Sequence, residues 1–330
     1  MKIPARHLSL HRQRGVTLIE LIISVGIMAM LLAGLSSVMG GVLGSGEYVS
    51  AHNALVRDAE FAMDRIVRSV GGSQKLLLPL PDNPGTNWPE NIREQTVPAS
   101  PPVGASTLAT AVLAVTLPAY SDLDFDGFPD ADDDRDGLID EDPHGDLTRD
   151  TANGIWLIDD DGDGAVDENI LQYWDDDEEG GGDEDPVNGI DDDNDGQIDE
   201  DPYRDINGDN EPGVSGVDED GDGAVDEGDY RDEDEDGQTD EDGYNALVFY
   251  LNGGEIIERI PVPWDENGNS VITGRDFVES AIAENVTRLR FERVPTAAGQ
   301  LPLVDITLEL TTLEAGTVAV TSRARVGGAL

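Results

Sequence analysis

Residues 122–243 carry 52 acidic side chains and four basic ones, a net formal charge of −48 within one stretch. Two like charges about 6 Å apart in water repel by less than ~1 kcal/mol, but the cost accumulates along a run such as DDDNDGQIDEDP at 191–202. Such a stretch either stays solvated and unfolded or is drawn together by cations. The rest of the 330-residue chain holds 19 acidic and 16 basic residues, so the overall charge of −51 belongs to this block. With no basic face to meet phosphate, nucleic acid is not expected as a partner. Cations and basic surfaces are the natural partners of the block. The chain has no cysteine, which excludes disulfides and thiolate metal sites. Its four histidines, two of them His7 and His11, give no support for a zinc or haem centre.

The acidic block is periodic. D-x-D-x-D-G-x-x-D occurs six times, with positions one, three, five and nine as candidate cation ligands. These are Asp122, Asp124, Asp126 and Asp130; Asp132, Asp134, Asp136 and Asp140; and Asp159, Asp161, Asp163 and Asp167. The later copies supply Asp191, Asp193, Asp195 and Asp199; Asp218, Asp220, Asp222 and Asp226; and Asp232, Asp234, Asp236 and Asp240. A variant has Asp175, Asp177, Glu179 and Asp183, and a degraded copy retains Asp205, Asn207 and Asp209. Calcium takes six to eight oxygens at ~2.3–2.6 Å, which a short loop supplies only if alternate side chains converge. A turn at position six brings them together, where glycine stands at Gly127, Gly137, Gly164, Gly180, Gly196, Gly223 and Gly237. Position eight is aliphatic at Ile139, Val166, Ile198 and Val225, as if a side chain were buried beneath each loop.

These loops resemble the calcium loops of EF-hands, dockerins and thrombospondin type 3 repeats. The resemblance implies several bound calcium ions, with binding energy serving as folding energy. An EF-hand would place Glu at position twelve between two helices, but Pro143, Pro186 and Pro202 stand there, so tandem linker-like modules fit better. The competing reading is a disordered polyanion, which is what highly charged, weakly hydrophobic segments ordinarily form.

The other strong signal is at the N-terminus. MKIPARHLSLHRQRG is a short basic leader, followed by an apolar run from 16 to about 42, long enough to span a bilayer as a helix. The positive-inside rule keeps the leader cytoplasmic and exports the rest. Glu20 lies inside the apolar run, where a carboxylate costs several kcal/mol and marks a function. The sequence RGVTLIEL resembles the signal of type IV prepilins and type II secretion pseudopilins. That resemblance implies cleavage after Gly15 by prepilin peptidase, methylation of the new N-terminal Val16, and a role for Glu20 in pairing with a neighbouring pilin subunit during assembly. It also implies residence in the inner membrane and then in a periplasmic or extracellular filament.

Beyond the membrane stretch, Leu55, Ala59, Ala62, Ile66 and Val70 recur at helical spacing, and Gly71–Gly72 stops the helix. A Pro-rich extended loop is expected over 76–102 and a buried strand over 106–120. After the acidic block, a hairpin is expected from Leu247 to Val262 with its turn at Asn252, Gly253 and Gly254. Alternating strands over 285–294, 303–312 and 317–326 complete an antiparallel meander. The fold class expected is α+β, a long N-terminal helix on an antiparallel sheet, with the acidic module inserted at a loop. The expected divisions are 1–15, 16–44, 45–120, 121–243 and 244–330. The strand order is similar to that of the J-type minor pseudopilins, whose hairpin pattern is matched by Val248, Tyr250, Leu251, Ile257 and Arg259, followed by Val286, Leu289 and Phe291.

Two functions follow: a minor pilin or pseudopilin bearing a calcium-stiffened module, or a filament-displayed or membrane-anchored calcium-dependent adhesin. An enzyme is not expected. Repeats of equal spacing describe equivalent sites, and the chain contains no G-x-S-x-G, H-E-x-x-H or P-loop sequence.

Overall fold

The structure, a computed structural model, describes residues 17–81, 89–97, 110–133, 135, 139–140, 146–162, 164–167, 176, 228–229, 231, 243–296 and 300–328. The chain divides into two compact units, Met1–His52 and Asn53–Leu330. Helix α1, Leu18–Gly72, begins in the first and ends in the second. In the first unit Leu18, Met28, Leu31 and Leu35 are among the exposed apolar side chains. The stretch Leu18–Ser36 is long and apolar enough to cross a membrane.

In the second unit the expected helical stripe is the buried face. Ala59, Ala62, Ile66 and Val70 are completely buried, Leu55 nearly so, and Met63 joins them. Small alanines at 59 and 62 permit close approach, while Arg65 on the flank pairs with Glu258 at 2.6 Å. Gly71–Gly72 ends the helix as expected.

Nine strands follow. β1 is Leu76–Leu78, β2 Ile92–Thr96, β3 Val112–Thr116, β4 Ala246–Asn252 and β5 Glu255–Pro261. β6 is Phe277–Ala283, β7 Val286–Val294, β8 Leu303–Thr312 and β9 Gly316–Arg325. They form two antiparallel sheets instead of one meander, in the orders β1-β3-β4-β5-β6 and β2-β7-β8-β9. The hairpin β4–β5 turns at Gly253 and Gly254, with φ of 60° and 95°. Two consecutive left-handed residues are what a two-residue hairpin turn demands, and glycine adopts them without strain. In β8 strict alternation sends Val304, Ile306, Leu308 and Leu310 inward with Leu289 and Phe291 of β7. The opposite face carries ion pairs: Arg288 with Glu94 and Glu309, Arg290 with Glu94 and Glu292, and Arg323 with Asp305.

Part of the acidic block belongs to this core. Ile155 and Ile158 pack with Leu78, Leu80, Val112, Ala114 and Val248. The loop around them has no strand partners, so its carbonyls take arginine donors. Arg93 on β2 donates to the carbonyls of Asp159 and, at 3.0 Å, Asp160. Arg259 on β5 donates to the carbonyl of Trp156 at 2.7 Å, and Arg275 to those of Asp150 and Thr151. The Trp156 ring also lies 5.8 Å from the Arg259 guanidinium and 4.9 Å from that of Arg275, with the Phe277 ring 6.0 Å away. The bonds from Arg93 are buried, and they satisfy backbone acceptors that would otherwise be left unpaired there.

Truncating Ile158 to Ala should therefore destabilise the sheet unit as a whole, by about 2–5 kcal/mol. Denaturant unfolding of the full chain, followed by far-ultraviolet circular dichroism, should show one transition moved to lower denaturant.

Candidate metal centre

The first acidic repeat closes into a loop through its own carboxylates. Asp130 accepts the Leu123 N–H on both oxygens at 2.9 Å, tying position nine back to position two. The Asp126 N–H donates to Asp124 Oδ1 at 3.1 Å and the Phe128 N–H to Asp126 Oδ1 at 3.0 Å. Gly127, at position six, has φ of 97°, the left-handed turn its spacing implied. The result brings carboxylate oxygens of Asp122, Asp124 and Asp130 within 4.8 Å of one another. Two oxygens on one calcium ion can lie at most about 5 Å apart, twice the bond length, so the spacing fits. Asp122 Oδ1 is buried and has no hydrogen-bond donor among the described residues. Burial, and then the charges of Asp124 and Asp122, push the Asp130 carboxyl above its ordinary pKa. A divalent cation bound here would offset the repulsion among the three carboxylates and suit their spacing.

The other expected ligands are placed differently. Asp126 turns to Arg135, whose Nη2 lies 2.9 Å from Asp126 Oδ2. Asp132 is buried and accepts the Arg135 N–H at 2.6 Å. Asp140 has φ of 57°, and Ile139 before it is half-buried. Asp159 lies 4.0 Å from buried Arg93 and accepts the Gly162 N–H at 2.7 Å. Asp161 is buried, and Asp167 accepts the Leu157 N–H at 2.9 Å. Among the described residues, Asp159, Asp161 and Asp167 do not form a convergent group. Val166, at position eight of this repeat, is half-buried. Asp134, Asp136, Asp163, and every expected ligand in the copies beginning at 175, 191, 205, 218 and 232 lie outside the described residues.

Sequence reasoning passed over a second set of acids. Asp146 accepts the N–H groups of Asp150 at 3.2 Å and Thr151 at 2.8 Å, and Asp150 accepts those of Ala152 and Trp156 at 2.9 and 2.8 Å. Asp160 accepts the Ile155 N–H, and Asp176 accepts the Leu147 N–H. All four are raised above their ordinary pKa, burial being the chief cause in each case. Asp146 is pushed up to about 7 by burial and then by the charge of Asp150. The signal available beforehand was the apolar run at 155–158 amid the acids, which marks a segment that must be buried.

A counterpart of the first loop, with amides in place of two carboxylates, lies between β5 and β6; its Asp265 accepts the N–H groups of Gly268, Asn269 and Ser270 at 2.6, 3.0 and 2.8 Å. There Asn267 Oδ1 accepts the Asn269 N–H at 3.1 Å and Asn269 Oδ1 the Val271 N–H at 2.8 Å. Asp276, fully buried, ties back to the N–H groups of Glu266 and Asn267 at 2.9 and 3.0 Å. Amides therefore build the same hydrogen-bond ladder that Asp124 and Asp126 build with carboxylates. The turns at 124 and 126 can thus be made without their negative charge, while the first and closing positions are carboxylates in both loops.

At the other end, the Glu20 N–H in the first turn of α1 is capped by Thr17 Oγ1 at 3.3 Å. Gly15 and Val16 lie outside the described residues. Residues 10–36 match the family model of the prokaryotic N-terminal methylation motif. No curated protein and no solved structure matches the chain significantly. The motif indicates a precursor of type IV pilin-like kind that is processed by peptidase.

Two outcomes are expected. Gly127→Ala should destabilise the loop by about 1–2 kcal/mol, because open space around its Cβ leaves only the left-handed backbone to object. Hydrogen exchange across residues 121–130 should accelerate. For Asp146 the folded pKa, about 7, exceeds the value of 3.8 for a free carboxyl. The folded state thus holds a proton that the unfolded chain releases between about pH 4 and 7, and stability falls as pH rises through that window. In chelator, thermal unfolding should occur at lower temperature at pH 8 than at pH 5, and Asp146→Asn should shrink the difference.

Proposed function

We propose that the chain is a minor pilin or pseudopilin subunit of a type II secretion pseudopilus or a type IV pilus. It is cut after Gly15 by prepilin peptidase, methylated on Val16, and assembled with other pilin subunits through Glu20 and the apolar half of α1. Its acidic repeats form a calcium-stabilised module outside the cytoplasm. The observation that carries the pilin reading is the methylation motif at 10–36, continued by a helix of membrane-spanning length. The calcium reading is supported by the convergence of Asp122, Asp124 and Asp130, the donorless buried oxygen of Asp122, and carboxylates at 124 and 126 where amides build the same turns at 267 and 269. A bulky insert is hard to repeat along a densely packed shaft, which favours a minor subunit. Calcium sites of extracellular modules bind at about 10⁻⁴–10⁻³ M, so folding of the repeats would follow export.

Expression beside a prepilin peptidase tests the first half. The wild-type chain should yield a product beginning at Val16, and Gly15→Val should stay full length. Glu20→Ala should be cut normally but fail to enter filaments. Cleavage elsewhere, or none, contradicts the reading. For the second half, millimolar calcium should raise the unfolding temperature by several degrees, and equal magnesium should do much less.

A further inference from the structure

Taking the 122–130 loop as a divalent-cation site, as proposed above, its own geometry shows a competitor built into the chain. Three of the four repeat carboxylates converge, and one of them, Asp122, has a buried oxygen with no hydrogen-bond donor among the described residues. The fourth, Asp126, is drawn aside by Arg135, whose Nη2 lies 2.9 Å from Asp126 Oδ2. Arg135 is itself fixed: its N–H donates to Asp132 Oδ1 at 2.6 Å, and its φ is 73°, in the left-handed region. The guanidinium of the second repeat is thereby aimed at the position-five ligand of the first.

We propose that Arg135 and the cation compete for Asp126, so that Arg135 sets the affinity of the first site and links it to the second repeat. Three carboxylates fall short of the six to eight oxygens calcium takes, and Asp126 is the repeat's remaining ligand. The Arg135–Asp126 pair is partly exposed, with side-chain accessibilities of 58% and 31%. Ion pairs of this kind are weak in water, and a doubly charged ion held by three further carboxylates can displace one. When it does, Asp126 joins the ion and Arg135 is released towards the shallow pocket it lines with Phe128, Tyr244 and Ile272.

Hydrogen–deuterium exchange of the full-length chain in detergent, read on a peptide covering 121–135 across a calcium series, isolates this site from the other repeats. Arg135→Gln should shift the protection midpoint to about two- to fivefold lower calcium. Asp126→Asn should move it to higher calcium, and Arg135→Gln added to Asp126→Asn should then change nothing further. An unmoved midpoint in Arg135→Gln overturns the inference, as does an equal shift in both backgrounds, which would make Arg135 a general local charge. Asp122→Asn keeps the two failures apart. If wild type is protected by calcium and Asp122→Asn is not, the site stands whatever Arg135 does. If wild type shows no calcium-dependent protection here, the cation reading fails and the competition with it. Peptides from β8 and β9, unchanged in every variant, report that the sheet is intact.

Discussion

Carboxylates crowded along one stretch of chain fold only where each finds a donor or a cation. In the described part of the acidic block the donors come from two sources. Backbone N–H groups serve Asp124, Asp126, Asp130, Asp146, Asp150 and Asp160, so that each acid shapes the turn beside it. Side-chain donors add to these, among them Arg135 to Asp126, Arg149 to Asp133 at 3.2 Å, Arg231 to Asp229 at 2.8 Å and Asn245 to Asp133 at 3.5 Å. Asp122, Asp124 and Asp130 stay close enough to repel one another despite these donors.

The same accounting explains how the block joins the sheet. Arg93, Arg259 and Arg275 project from the sheet framework and give their donors to carbonyls of the 150–160 loop. Ile155 and Ile158 add apolar contact with β1, β3 and β4. A segment of high negative charge is thus fastened through its backbone and its few apolar residues, leaving its carboxylates to order turns. Desolvation lowers the pKa of Arg259, and the charge of Asp150 partly offsets it, so fastening and acidity are electrostatically coupled.

Legibility in the sequence followed the strength of the periodic signal. The helix stripe from Leu55 to Val70, the Gly253–Gly254 hairpin and β7 to β9 were all readable, because burial on one face leaves a regular alternation. β1 and β2 were hidden in a Pro-rich stretch and are three and five residues long. β6 is an edge strand exposed at four successive positions, so it shows no alternation. The division into two sheets depends on pairing between distant strands, which one chain's local pattern does not encode. At the site, repeat phase pointed to Asp122, Asp124 and Asp130, whereas the turning of Asp126 to Arg135 is a contact between two repeats that spacing within one repeat does not encode. The amide-built ladder at 267–276 escaped notice because Asn replaces Asp and the closing acid sits further on.

The most direct measurement is a calorimetric calcium titration of the full-length chain in detergent, with limited proteolysis at each point and magnesium as control. Calcium-driven folding predicts saturable binding of several ions, with cleavage within 168–242 disappearing over the same concentration range. Heat of binding no greater than that of magnesium, together with undiminished cleavage at millimolar calcium, would contradict it and leave a pilin-like precursor carrying a solvated polyanion.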